Sequence, residues 1–148
     1  MKKLLISALF SFAVYSFSFA NTTEKSFSFK GAESFAKMFA NAKDVNVKTV
    51  GEYTEVKFSW NDEKIQAFYN TDGELVVTSR NIKLNQIPLP ALKTISEKYT
   101  DYTTTEVIEF DHAEEGLSYY VGMENADKKI ILKVSTDGEV STYKSTNK

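Results

Sequence analysis

Tyr53–Arg80 reads YTEVKFSWNDEKIQAFYNTDGELVVTSR, and Ser118–Ser145, 65 residues later, reads SYYVGMENADKKIILKVSTDGEVSTYKS. The two stretches align without a gap and share eight of 28 positions. Val56 matches Val121, Asp62 matches Asp127, and Lys64-Ile65 matches Lys129-Ile130. Thr71-Asp72-Gly73-Glu74 recurs intact as Thr136-Asp137-Gly138-Glu139. The apolar spacing repeats as well: Phe58 takes the place of Met123, Ala67 of Leu132, Tyr69 of Val134 and Leu75 of Val140. Similarity at a fixed offset marks a duplicated supersecondary unit.

Each unit opens with a helical pattern. Phe35, Met38, Phe39 and Ala42 recur at i, i+3, i+4 and i+7 in the first, and Leu92, Ile95 and Tyr99 in the second. Pro90 suits a first helical turn, where its missing N–H would have no partner, and Pro88 is expected to end the preceding strand. Four strand-like runs follow each helix. They span about Val45–Val50, Tyr53–Trp60, Lys64–Asn70 and Glu74–Asn81, then about Thr103–Asp111, Leu117–Glu124, Lys128–Ser135 and Glu139–Lys144. Asn61-Asp62, Asp72-Gly73, Asn125-Ala126-Asp127 and Asp137-Gly138 carry turn chemistry, and the Asp-Gly pairs predict type I′ hairpins. Consecutive hairpins make an antiparallel meander. The expected fold class is therefore α+β. Two tandem repeats of one helix plus four antiparallel strands, about 32–81 and 88–145, form one continuous sheet with both helices on one face.

Strand alternation assigns the two faces. Val56, Phe58, Trp60, Ile65, Ala67, Tyr69, Leu75 and Val77 are expected toward the helices in the first unit. Tyr119, Val121, Met123, Ile130, Leu132, Val134 and Val140 are expected there in the second. Tyr53, Phe68, Val76, Thr78, Tyr120, Ile131 and Tyr143 then point outward. The outer face of a one-sided antiparallel sheet is ordinarily polar. The aromatic and aliphatic members Tyr53, Phe68, Val76, Tyr120, Ile131 and Tyr143 are thus candidate partner-binding residues, because rigid rings bury large area at low entropic cost. Two other readings stand: the rings are cross-strand pairs that stabilise the sheet, or Asn21–Gly31, with its alternating Phe27 and Phe29, covers them.

Composition narrows the chemistry. The chain has 148 residues, 18 Lys plus Arg, 20 Asp plus Glu, one His and no Cys, for a net charge of −2. Thiol catalysis, disulfides and thiolate metal sites are excluded. The charge gives no general attraction to nucleic acid, and the single Arg, Arg80, argues against phosphate recognition. Residues 1–20 combine Lys2-Lys3, an apolar stretch diluted by serines, and Ser18-Phe19-Ala20. This is the pattern of a cleaved signal peptide rather than a retained anchor. It directs export to the periplasm or the medium, with no membrane span after cleavage. Residues 21–31 form a leader, and 32–148 the domain.

The order of these features resembles the bacterial exported proteins described as β-lactamase-inhibitor-like, PepSY-like. The resemblance runs from about Ala32 to Lys144. It is carried by Val56-Lys57-Phe58-Ser59-Trp60, Ala67–Glu74, Ile87-Pro88-Leu89-Pro90, Tyr119-Tyr120-Val121 and the second Thr-Asp-Gly-Glu. It implies two helix-and-strand repeats whose sheet offers an open face to a partner enzyme, and an association with peptidase propeptides and with inhibition or regulation. It supplies no catalytic motif and no contact residue.

His112, in Asp111-His112-Ala113-Glu114-Glu115-Gly116, is a candidate for metal or acid–base chemistry, or else part of a solvated hairpin loop. The lysines are dispersed among acids and read as solubilising strand edges and faces. No nucleophile–base–orienter constellation is present. The sequence thus predicts a non-catalytic exported module without cofactor or metal, binding a protein such as a peptidase or other exported enzyme. A small-molecule or cell-envelope ligand carrier is the alternative, and it requires a pocket.

Overall fold

In the computed structural model, residues 28–148 are described. The expected signal peptide over 1–20 and leader residues 21–27 lie outside the described residues. Eight strands run in sequence order across one antiparallel sheet. They are β1 Lys43–Val50, β2 Tyr53–Trp60, β3 Glu63–Tyr69, β4 Leu75–Asn81, β5 Thr103–His112, β6 Gly116–Glu124, β7 Lys128–Val134 and β8 Val140–Asn147. Helix α1, Ala32–Met38, precedes the first four, and helix α2, Leu89–Lys98, precedes the last four. The two repeats join where β4 pairs with β5, Arg80 lying opposite Glu109.

Turn chemistry sets this register. Asn61 and Asp62 both have positive φ, 50° and 65°. A two-residue type I′ hairpin demands this pair, and it sets Trp60 opposite Glu63. The two Asp-Gly turns depart from the type I′ expectation. At each, only the glycine is left-handed, Gly73 at 82° and Gly138 at 90°. The Asn70 carbonyl accepts from Gly73 N, and Asn70 N donates to the Glu74 carbonyl. This is a three-residue loop, a type I turn followed by a glycine bulge. The cause lies one residue before the repeat: Asn70 Oδ1 accepts from Asp72 N and Glu74 N, both at 2.9 Å. Ser135 plays the same part, its Oγ accepting from Glu139 N at 2.9 Å.

Both glycines also serve as seats for helices. A Cβ on Gly73 would come within 2.6 Å of the Lys30 carbonyl at the start of α1, and one on Gly138 within 2.9 Å of Pro90 Cβ in α2. Each Thr-Asp-Gly-Glu turn therefore supports the helix of its own repeat. The periodicity of α1 outlasts the helix itself. The helix stops at Met38 with Phe39 as its C-cap, and the chain turns through the left-handed Asn41 (φ 66°) before Ala42, which still packs on the core. Pro88 caps α2 rather than ending β4. The strand stops at Asn81 because the chain enters a 3-10 turn at Leu84–Gln86, where Lys83 N donates to Gln86 Oε1 at 2.8 Å.

Each helix buries one half of the sheet. Phe35 of α1 and Phe39, its C-cap, meet Val56, Phe58, Ala67 and Tyr69, with the Phe58 ring 4.9 Å from Phe35 and 4.7 Å from Phe39. Ala91 and Ile95 of α2 cover Val107, Val121, Leu132 and Val134. All the expected helix-facing residues of the second unit lie in this cluster. In the first unit one is misplaced. Tyr69 pairs with Leu75 and Phe68 with Val77, so Val76 is an extra, bulged residue. A bulge reverses the phase of the strand beyond it. Val77 consequently faces outward, and Thr78 faces the helix side, opposite to both expectations.

Phe29 is docked on the helix side, its ring 5.1 Å from Tyr69 and 6.2 Å from Phe35. Beneath it the Tyr69 hydroxyl is buried without a hydrogen-bond partner, and burial pushes the phenol up to about 12. A buried hydroxyl left unpaired costs about 1–3 kcal/mol. Tyr69→Phe is therefore expected to raise the denaturation midpoint. Because the folded-state value lies above the unfolded one, the native phenol disfavours ionisation, and wild-type stability falls as pH rises from 10 to about 12. The substitution should reduce that alkaline loss; denaturant titrations at neutral and alkaline pH read both effects, and a lower midpoint would refute the assignment.

Candidate protein-binding face

The sheet face opposite the helices carries its own apolar cluster. Phe68 of β3, Val77 of β4, Phe110 of β5 and Tyr120 of β6 are buried together, with half-buried Tyr53, Val76, Ile131 and Tyr143 packed against them. All six candidate residues taken from the sequence, Tyr53, Phe68, Val76, Tyr120, Ile131 and Tyr143, meet in this one cluster. The rings of Phe110 and Tyr120 lie 5.6 Å apart, and those of Tyr120 and Tyr143 5.4 Å apart, both edge to face. Such geometry is favourable for aromatic quadrupoles.

Burial separates these residues into two classes. Phe68 is 2% exposed and Tyr120 1%, so they are not the accessible anchors the alternation suggested. Their neighbours are buried too: Glu55, opposite Phe68, is 3% exposed, and Ser79, opposite Phe110, is 5% exposed. Glu55 keeps a cation nearby, Lys57 Nζ at 3.6 Å. Burial pushes the Tyr120 phenol up to about 12 and raises the Glu106 carboxyl above the usual range. The accessible apolar area therefore lies at the rim, at Tyr53, Val76, Ile131 and Tyr143.

Phe110 and Val77 escaped the sequence reading. Phe110 was within reach, since carrying the alternation from Tyr120 back through the β5–β6 hairpin places Ile108 and Phe110 on the outer face. Val77 was hidden by the bulge.

Among the described residues, the helix side is grooved. A cleft of about 360 Å³ lies at the seam of the repeats, lined by Phe39, Trp60, Thr78, Arg80, Glu109 and Asp111 among others. Arg80 is clasped from both sides. Nε donates to Glu109 at 2.6 Å and Nη1 to Glu63, which holds the guanidinium firmly charged. Its charge is thus matched within the chain. Trp60 Nε1 donates to the Ala40 carbonyl at 3.0 Å. A second groove of about 550 Å³ follows α2, with Leu89, Leu92, Tyr99, Tyr102 and Met123 on its walls. His112 closes its own hairpin: Nδ1 accepts from Glu114 N at 3.1 Å and from Glu115 N at 3.2 Å.

Two helix-plus-four-strand units on one unbroken meander define this class of fold. No family model matches the chain, and neither does any curated protein. Solved structures of the same fold do match. A BLIP-like protein from Bacteroides fragilis superposes with a TM-score of 0.70 at 16% identity, over 86% of this chain and 89% of its own. A DUF2874 family protein from Bacteroides uniformis gives 0.72 at 14%, over 82% and 89%. A provisionally assigned periplasmic protein from Bacteroides eggerthii gives 0.71 at 14%, over 81% and 88%. At these identities the likeness is one of fold.

Proposed function

We propose that this chain is an exported, non-catalytic module that binds another protein through the outer face of its sheet and thereby inhibits or regulates an exported or envelope enzyme. One observation carries the reading. An aromatic cluster spans β3 to β6 on the face that no helix of the described residues covers, with Tyr53, Val76, Ile131 and Tyr143 as its accessible rim. Partner recognition concentrates in such aromatic patches. The BLIP-like name of one fold relative supports a protein partner, and the first 20 residues support export.

The test compares affinity columns carrying the wild-type chain and the Tyr53→Ser/Tyr143→Ser double variant. Both tyrosines are half-buried, so the exchange trims the rim while leaving Phe68 and Tyr120 in place. One envelope or secreted protein retained near stoichiometry by the wild type, and lost from the variant column, is the expected result. Equal retention by both columns, or by neither, defeats the proposal.

A further inference from the structure

The lysines look dispersed in the sequence, yet the strand register collects many of them on one face. Asn46 opposite Lys57 and Lys48 opposite Glu55 put Lys48 and Lys57 outward, on the side of Phe68. Lys64, next to the inward Ile65, points the same way, and Lys43 stands opposite the outward Ser59. Across the sheet, Lys133 is opposite Tyr120, Lys129 opposite Glu124 and Lys144 opposite Ile131. Lysine-bearing flanks on β1–β3 and β7–β8 thus border the aromatic strip of β3–β6. Carboxylates on this face are fewer: Asp44, held by Ser59 Oγ at 3.2 Å, with Glu55, Glu106, Glu124 and Glu115, whose charge reaches the Tyr120 phenol. Two of these already have cations beside them, Glu55 with Lys57, and Glu124 with Lys129 and Lys148. The helix side, the turns and the helices hold the acidic surplus, in a chain whose net charge is −2.

We infer that the outer face is built for a partner protein whose contact surface is acidic around an apolar centre. This rests on the protein-binding reading above and names the chemistry of the partner. The aromatic rim supplies buried area, and the lysine flanks supply complementarity. Charges at the rim of an interface steer encounter and exclude like-charged competitors. A basic partner surface would be repelled by both flanks. The Lys133 ammonium, 5.9 Å from the Tyr120 ring centroid, links the two halves of the device.

The probe is a random copolymer of glutamate and tyrosine, titrated into the purified protein at low and at physiological salt. Lys64→Glu/Lys144→Glu reverses one exposed lysine on each flank. Lys93→Glu/Lys98→Glu makes the same net-charge change on α2, on the other side of the sheet. Binding of the copolymer should weaken about tenfold or more in the first variant and change little in the second, and added salt should weaken it further. No binding by the wild type, or equal loss in both variants, overturns the inference. Tighter binding to double-stranded DNA or to phosphatidylglycerol vesicles than to the copolymer also overturns it, by pointing to a different class of polyanion. If Tyr53→Ser/Tyr143→Ser weakens copolymer binding while the lysine reversal does not, the face binds and only the charge assignment fails. If neither variant matters, the face itself is the wrong site.

Discussion

Gly73→Ala should lower the free energy of unfolding by about 2–5 kcal/mol, the sum of left-handed strain and forced overpacking. The residue sits at φ 82°, and a Cβ would press to 2.6 Å against the Lys30 backbone. That neighbour is main chain at the start of α1, so it yields only if the helix lifts. Gly51 provides the control. It is also left-handed, at φ 60°, but nothing lies within 4 Å of a Cβ there. Gly51→Ala should therefore carry the strain alone, about 1–2 kcal/mol. Denaturant titration of both variants separates the contributions. Equal losses would mean that the turn does not bear the helix and that only its backbone angle matters.

Phe68→Ala is expected to cost about 3–5 kcal/mol, the range for emptying a buried phenylalanine site. A surface substitution on the sheet would stay within about 0.5 kcal/mol. The difference decides whether the outer cluster is a second core or an open patch. Phe68 and Tyr120 have almost no exposure, and Val77 and Phe110 are buried beside them, which places Phe68 in the core-like class. A loss below about 1 kcal/mol would reverse that assignment. The consequence for function is direct. Truncating Phe68 or Tyr120 would confuse unfolding with lost binding, whereas the half-buried Tyr53 and Tyr143 sit at the rim, where truncation removes accessible area and leaves the buried centre filled.

Much of this architecture can be read from the residues. The two Thr-Asp-Gly-Glu turns, the Asn61-Asp62 hairpin and the helical spacing of Phe35 and Ile95 are local signals, and each stands where its chemistry requires. Strand limits follow within a residue or two for β2, β3, β6 and β7. The bulge at Val76 is not legible, because Leu75-Val76-Val77 is apolar throughout and either phase satisfies the pattern. The mismatch between repeats adds to this: the second bulge falls near Tyr143, beyond the position equivalent to Val76. The burial of Phe68 is a property of tertiary packing that alternation alone cannot express. The gathering of lysines is the opposite case. Every position was visible, but the grouping exists only once eight strands share one register.

The hydrogen bond from Trp60 to the Ala40 carbonyl has a spectroscopic consequence. Trp60 is the sole indole of the chain, and it is tied to the segment that follows α1, on the side of the sheet away from Tyr120 and Tyr143. Its emission therefore monitors the first repeat, while circular dichroism averages both. Coincident melting curves from the two signals would show that the duplicated halves unfold as one cooperative unit across the β4–β5 seam; an earlier fluorescence transition would show that the first half comes apart while the second still holds.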